Sequence, residues 1–600
     1  MECHDITVGM AGSGGDGVVS AGDILAASSA AEGIHCLLLK SFGPQIRGGE
    51  SSCRIRLSTK PILSQGDSLD VLVVFNWPDF ARFGSELEAR DGAFVLVEEK
   101  DKTTDIPLQN ISRCHLIRIP FEKLAAEEAG NPKAKNMVTL GVLGAMFGLP
   151  IEGIKRAIER KFKKKGPEVI AANHKAIDVG IEYVKAHGSQ SELRFVHASS
   201  KPQMALTGNE ATAFGALAAG CRFFASYPIT PATEIMEWLS REMPKFGGTV
   251  LQSEDEISAI NSAVGASFGG VRSMTATSGP GMSLKLETIG LAAMAELPIV
   301  VVDVQRGGPS TGIPTKTEQA DLMQAVYGMH GDAPHAVLAP ADVEDCFEVA
   351  WRAFRIAETY QMPVIILSDQ FIGQRKETVE SFDVKKISVP ARITPDLKAG
   401  GKYRRYEDTA QGVSPTTWPG MKGGEYLASG IEHTEDGSPS SQYETHEKMV
   451  AKRSRKMEAL EKEFHFIRRY GSPKPVVGVL GWGSSKGAIR EAVERLNRNG
   501  LSAAALVPQL IYPLQKEAIR NFVASCKHLL VVEMSHSGQF MHYLSGEGLL
   551  PPDALYYRSS GGRVFLSAEI ESAIRAAAEG KLCRPLAPAA PRKMMGKDEE

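Results

Sequence analysis

SYPITPATEIMEW (226–238), LQSEDEISAINSAVGASFGG (251–270), SMTATSGPGMSL (273–284) and PIVVVDVQRGGPSTGIPTKT (298–317) are the stretches from which the rest of the chain is read. The last decides the fold class. Residues 298–304 are almost continuously apolar, the pattern of a strand buried on both faces of a parallel sheet, and they deliver Gln305 and Arg306 at its carboxyl end. Ligands of α/β sheets collect at such ends. In the first stretch Thr230-Pro231 predicts a helix start, Thr as cap and Pro at the first helical position. In the second, Ser253 and Glu256 predict a start of the S-x-x-E type, with Ile257, Ile260, Val264 and Phe268 on one face to be buried. Its other side carries Ala259, Ala263, Ala266, Gly265, Gly269 and Gly270, which leave room for close approach. One short region thus offers a helix N-terminus, a carboxylate, small-residue access and a guanidinium.

Composition bounds the rest. A chain of 600 residues, 43% hydrophobic and 23% charged, reads as a soluble protein of roughly three or four domains. A formal charge of −3 gives no footprint for nucleic acid or an anionic membrane. The basic run 160–165 closes a helical pattern, where cations complement the dipole; a clamp for the phosphates of coenzyme A is the sharper alternative. Eight cysteines stand at 3, 36, 53, 114, 221, 346, 526 and 583 with no C-x-x-C pair, so neither an iron–sulfur cluster nor another metal site is expected within this chain. The chain enters a strand at once and has no membrane-length apolar run, so a soluble cytoplasmic location is expected.

Tyr-Pro-Ile-Thr-Pro at 227–231, Glu256 with Gly265 nine residues on, and Arg306-Gly-Gly-Pro-Ser-Thr-Gly-Ile-Pro-Thr315 resemble the 2-oxoacid:ferredoxin oxidoreductases. The likeness is to an alpha subunit with a fused N-terminal gamma domain. The fusion, with the segment 430–450, looks most like the 2-oxoglutarate enzymes. It implies a multidomain α/β fold in four parts. Residues 1–190 are a gamma domain, and 203–380 a pyrimidine-type domain of thiamine diphosphate enzymes. Residues 381–470 are an extended arm and helix, and 471–590 a transketolase C-terminal-like domain. Residues 394–446, rich in Gly, Ser, Thr and Pro, would be an ordered arm against a partner, and His433 and His446 structural.

The resemblance also implies residue roles. Glu256 is the catalytic carboxylate that hydrogen-bonds the thiamine diphosphate aminopyrimidine; a capping-box role toward Ser253 is its competitor. Tyr227, Pro228, Ile229, Thr230, Pro231, Arg306 and Arg47 would bind substrate, and Ser310 and Thr311 the cofactor beside Glu256. Thr230 could instead be a plain cap and Arg306 a surface ion pair. Asp369 reads as a cap, and the loop 40–51 as a mobile lid carrying Arg47. The implied reaction takes 2-oxoglutarate, coenzyme A and oxidised ferredoxin to succinyl-CoA, CO2 and reduced ferredoxin, or the reverse, as in a reductive tricarboxylic acid cycle. A beta subunit would carry Mg2+, the diphosphate end and a [4Fe–4S] cluster in an (alpha–beta)2 assembly. A second substrate carboxylate would need another cation, Arg47 or Lys316. Pyruvate or another 2-oxo acid is an alternative substrate. A different reading takes Gly12-Ser13-Gly14-Gly15-Asp16-Gly17, a G-x-G-x-x-G after a strand with Glu32 downstream, as the dinucleotide site of an NAD(P) or flavin reductase. A third makes the chain a non-catalytic scaffold.

Overall fold

The computed structural model describes residues 2–43, 49–84, 86–103, 108, 113–188, 191–397 and 402–581. Each of three sheets anchors one unit. The first unit opens with β1 (Asp5–Ser13), α1 (Val18–Glu32), β2 (His35–Phe42), β3 (Glu50–Ser58), β4 (Leu69–Val74), β5 (Ala89–Glu98) and β6 (Cys114–Ile119). β1 is parallel to β4 and antiparallel to β3. β3 is poorly marked in sequence because its ESSCRIR run is polar, yet it is buried: Arg54 donates to the carbonyls of Gln65 and Gly66 at 3.1 and 2.8 Å. The loop expected over 40–51 is strand at both of its ends. Residues 40–42 and 50–51 belong to β2 and β3, and Arg47 lies outside the described residues.

The second unit runs β7 (Met204–Thr207), β8 (Phe223–Ser226), α2 (Thr233–Glu242), β9 (Thr249–Gln252), α3 (Glu256–Phe268), β10 (Ser273–Thr277), α4 (Gly279–Met294), β11 (Ile299–Gln305), β12 (Ala336–Leu338), β13 (Pro363–Asp369) and β14 (Lys376–Val379). β11 is buried throughout and lies parallel between β10 and β13, as its apolar run predicts. Each of its fully buried Val and Ile side chains contributes roughly 1.5–3 kcal/mol. After a long irregular segment come α5 (Tyr443–Glu463), β15 (Ile467–Gly471), β16 (Val477–Gly481), β17 (Ala503–Pro508), β18 (Leu510–Tyr512), β19 (His528–Glu533) and β20 (Leu555–Arg558).

Strand orders are β6-β5-β4-β1-β3-β2-β14-β7, β9-β8-β10-β11-β13-β12-β18 and β15-β17-β16-β19-β20. β7 and β14 flank the second unit in sequence but extend the first unit's sheet, and β18 of the third unit pairs antiparallel with β12 of the second. Among the described residues no helix is long and apolar enough to cross a membrane.

Candidate active site

β8, β9, β10, β11 and β13 are parallel neighbours, so their carboxyl ends open on one side of the sheet. β9 lies on one side of β8 and β10 on the other. The connections diverge there, which is where α/β sheets form a crevice. Ser226 ties the two ends together, its hydroxyl donating to the Ala276 carbonyl at 2.7 Å and its own carbonyl accepting the Ser253 N–H at 2.9 Å.

Glu256 stands at this crevice as the first residue of α3. The predicted capping box does not form. Asp255 is the cap, accepting the Ser258 N–H at 2.7 Å, because its carboxylate lies one residue before the helix and is as good a cap as Ser. Glu256 is released from that duty. It is 7% exposed, and among the described residues its carboxylate accepts no hydrogen bond. Gly281, in the first turn of α4, makes room for it: a Cβ there would stand 2.6 Å from the Glu256 Oε1. The buried face of α3 is Ala259, Ile260, Ala263, Val264 and Ser267, whereas Ile257, expected inside, is 46% exposed. Gly265 is exposed with nothing within 4 Å of an added Cβ. A buried carboxylate that accepts no hydrogen bond among the described residues, beside a glycine cradle, fits the pyrimidine end of thiamine diphosphate, whose ring nitrogen takes such a bond.

The Tyr227–Pro231 segment is a loop, not the start of a helix. α2 begins only at Thr233, and no side chain caps it. Thr230 is held out of the helix by a tertiary contact, its carbonyl accepting an N–H from Arg306. Asn209 secures the same loop by donating to the Pro231 carbonyl at 2.8 Å. Tyr227 and Thr230 are exposed, Pro228 and Ile229 half-buried, and Pro231 buried.

Arg306 follows β11 and is buried, its Nε without a partner, so it is not a surface ion pair. Two carboxyls accompany it. Asp303, on β11, has neither oxygen hydrogen-bonded, and burial, with Asp321 adding repulsion, pushes it well above the usual carboxylate range against the pull of Arg306. Asp321 is pinned by its N–H to the Gln305 side chain at 3.0 Å; burial raises it to about 6, Arg306 opposing and Glu318 adding to the rise.

Other expected residues fall elsewhere. Ser310 and Thr311 sit at the exposed tip of a tight loop closed by Gly307 N–H to the Lys316 carbonyl at 3.0 Å, and no contact joins them to Glu256 among the described residues. Lys316 pairs with Glu86 of the first unit. Asp369 is a cap, accepting the Ile372 N–H at 3.0 Å. In the glycine-rich turn Asp16 occupies the anion position: its carboxylate accepts the Ser13 N–H at 2.9 Å and pairs with Lys135 at 2.8 Å. Glu32 is bound to Arg156 and Ser199 at the far end of α1, so the dinucleotide reading lacks both its phosphate cradle and its ribose carboxylate.

Comparisons with known proteins show the family. The family described as pyruvate flavodoxin/ferredoxin oxidoreductase, thiamine diphosphate-binding, matches residues 214–452, and that described as pyruvate ferredoxin/flavodoxin oxidoreductase matches residues 7–183. The chain is 34% identical to the 2-oxoglutarate oxidoreductase subunit KorA of Mycobacterium tuberculosis, over 96% of this chain and 92% of that one. It is 29% identical to the alpha subunit of 2-oxoacid:ferredoxin oxidoreductase 2 of Aeropyrum pernix, over 95% and 97%. A solved 2-oxoglutarate:ferredoxin oxidoreductase from Magnetococcus marinus, with 2-oxoglutarate, coenzyme A and succinyl-CoA bound, superposes with a TM-score of 0.90 at 35% identity, covering 96% of this chain and 100% of that one. The chain belongs to the 2-oxoacid:ferredoxin oxidoreductases, as an alpha subunit with a gamma domain fused at its N-terminus.

Proposed function

We propose that this chain supplies the pyrimidine-side half of an active site that interconverts 2-oxoglutarate, coenzyme A and oxidised ferredoxin with succinyl-CoA, CO2 and reduced ferredoxin. The observation that carries it is Glu256, presented at the crevice with a carboxylate that accepts no hydrogen bond among the described residues. Thiamine diphosphate, when bound, supplies the electron sink that decarboxylation of a 2-oxo acid requires. The part of Glu256 is a charge-assisted hydrogen bond to the aminopyrimidine in a site that excludes water. Arg306, a planar fork with an unused Nε, would hold the carboxylate of the 2-oxo acid, exchanging its present bond to the Thr230 carbonyl for it.

The diphosphate end with Mg2+ and a [4Fe–4S] cluster belong in this reading to a beta subunit, in an (alpha–beta)2 assembly that reduces ferredoxin. Exposed apolar side chains around the crevice, Tyr227, Leu251, Ile257 and Leu284, support a partner at that place. The choice of 2-oxoglutarate rests on the relatives of that name. The test is to co-purify the chain with its beta partner and assay thiamine-dependent, coenzyme A-dependent reduction of a viologen dye with 2-oxoglutarate and with pyruvate. Reduction with 2-oxoglutarate alone is expected, with a loss of at least ~100-fold in kcat for Glu256→Gln, the scale of removing one preorganised catalytic hydrogen bond. Near-normal turnover in that variant would remove Glu256 from the chemistry.

A further inference from the structure

Lys285 lies on α4, four residues beyond Gly281, and is 0% exposed. Among the described residues no carboxylate pairs with it directly. Its Nζ donates to the backbone carbonyl of Glu256 at 3.0 Å and to the Thr275 hydroxyl on β10 at 3.1 Å. Burying an ammonium without a contacting counter-ion is costly, and a position on an apolar helix face is filled more cheaply by Leu or Met. The location is also unfavourable by itself, because a cation beside the start of α3 opposes the positive end of that helix. The charges that face it are Glu256 and Asp255, both at the start of α3, while β10 contributes only the Thr275 hydroxyl. Burial lowers the ammonium to about 8, with Glu256 and Asp255 resisting.

We propose that Lys285 is a positioning residue for Glu256: it fixes the first turn of α3 through the Glu256 carbonyl, and its buried charge balances the Glu256 carboxylate at the crevice. This rests on the assignment of Glu256 made above. Gly281 and Lys285 then form one device on α4, the glycine admitting the carboxylate and the lysine holding the residue from beneath.

The test compares wild type, Lys285→Met, Lys285→Gln and Glu256→Gln in the complex with the beta partner. Three quantities are read: the pH profile of kcat/KM, the thiamine diphosphate dissociation constant of the cofactor-free complex by tryptophan fluorescence, and the melting temperature. Gln keeps a hydrogen bond to the Glu256 carbonyl but no charge. Loss of a nearby opposite charge disfavours the ionised form of a carboxylate. Both lysine variants are therefore expected to shift the acid limb of the profile upward. They should also bind thiamine diphosphate about tenfold more weakly at pH 7, the gap closing toward pH 9, with melting unchanged or raised. A wild-type limb and wild-type affinity in Lys285→Gln would overturn the charge role. A melting temperature well below wild type in Lys285→Met would mark a structural bond and overturn the proposal as well. Full activity in Glu256→Gln would instead overturn the assignment on which it rests.

Discussion

Asp303 places a carboxyl within a strand buried on both faces, beside Asp321 and three residues before Arg306. Two buried carboxyls near one guanidinium do not both ionise readily, so the pair retains a proton longer than exposed Asp would. The sign of the stability effect follows. Asp321 is raised from its ordinary value to about 6, so between pH 4 and 6 the folded chain holds a proton that the unfolded chain has released, and stability falls as pH rises through that window. Asp321→Asn should raise the melting temperature at pH 7.5, and the advantage should shrink as pH is lowered toward 4. A gain independent of pH would show that Asp321 is not the titrating group. Sequence reading placed Glu256 at a helix start and Arg306 at a strand end because both are local patterns, while their proposed roles come from the family resemblance. It placed the α3 cap at Ser253 instead of Asp255, since three neighbouring acceptors compete and the fold selects one. Lys285 was legible in principle: Met282, Lys285, Ile289 and Ala292 fall at helical spacing, and all four are buried. A cation on an apolar stripe is the signal, and it was overshadowed by the glycines of the same stretch.

The segment 387–442 contains no helix or strand among its described residues, and its composition reads as a connector. What orders it is long-range. Lys452 and Lys456, one turn apart on α5, both bond the Glu296 carboxylate, at 2.5 and 2.6 Å, and Arg405 of the irregular segment donates to the Glu296 carbonyl at 2.7 Å. Glu296 itself is buried at positive φ, 52°, just past α4. Burial works against its ionisation, but Lys456, Lys452 and Arg405 outweigh it and hold the carboxyl far below the usual range. Removing one partner of a buried ion cluster leaves the others uncompensated, which costs about 3–5 kcal/mol. Glu296→Gln should therefore lower the melting temperature and open 387–442 to protease, while Glu407→Gln, which breaks an exposed pair with Arg404, should change neither. Equal protease resistance in the two variants would show that the arm is held by something else. Local sequence cannot announce such contacts, because the partner of Lys456 lies 160 residues away.

The three sheets are not strung in series. β7 and β14 return chain from both sides of the second unit to the first unit's sheet, and β18 adds chain from the third to the second. Side chains complete the joint between first and third: Arg56 pairs with Glu491 at 3.1 Å, and Gln65 donates to the Phe565 carbonyl at 2.9 Å. β7, β14 and β18, of three or four residues each, are too short to show a strand pattern in sequence, so this interlocking was not legible. The interlock has a consequence for assembly. With the first and third units fixed against the second, the exposed apolar rim around Glu256 belongs to a surface whose shape is set before any partner arrives. Ile257 is its informative member: 46% exposed, next in sequence to the catalytic candidate, and on the side of α3 turned away from the core. A charge there costs nothing in the free chain but must be desolvated in an interface. Ile257→Asp should leave the melting temperature of the isolated alpha chain unchanged and abolish its co-purification with the beta subunit. Retained co-purification at wild-type yield would move the partner to another face and leave the Glu256 crevice to be closed from within the chain.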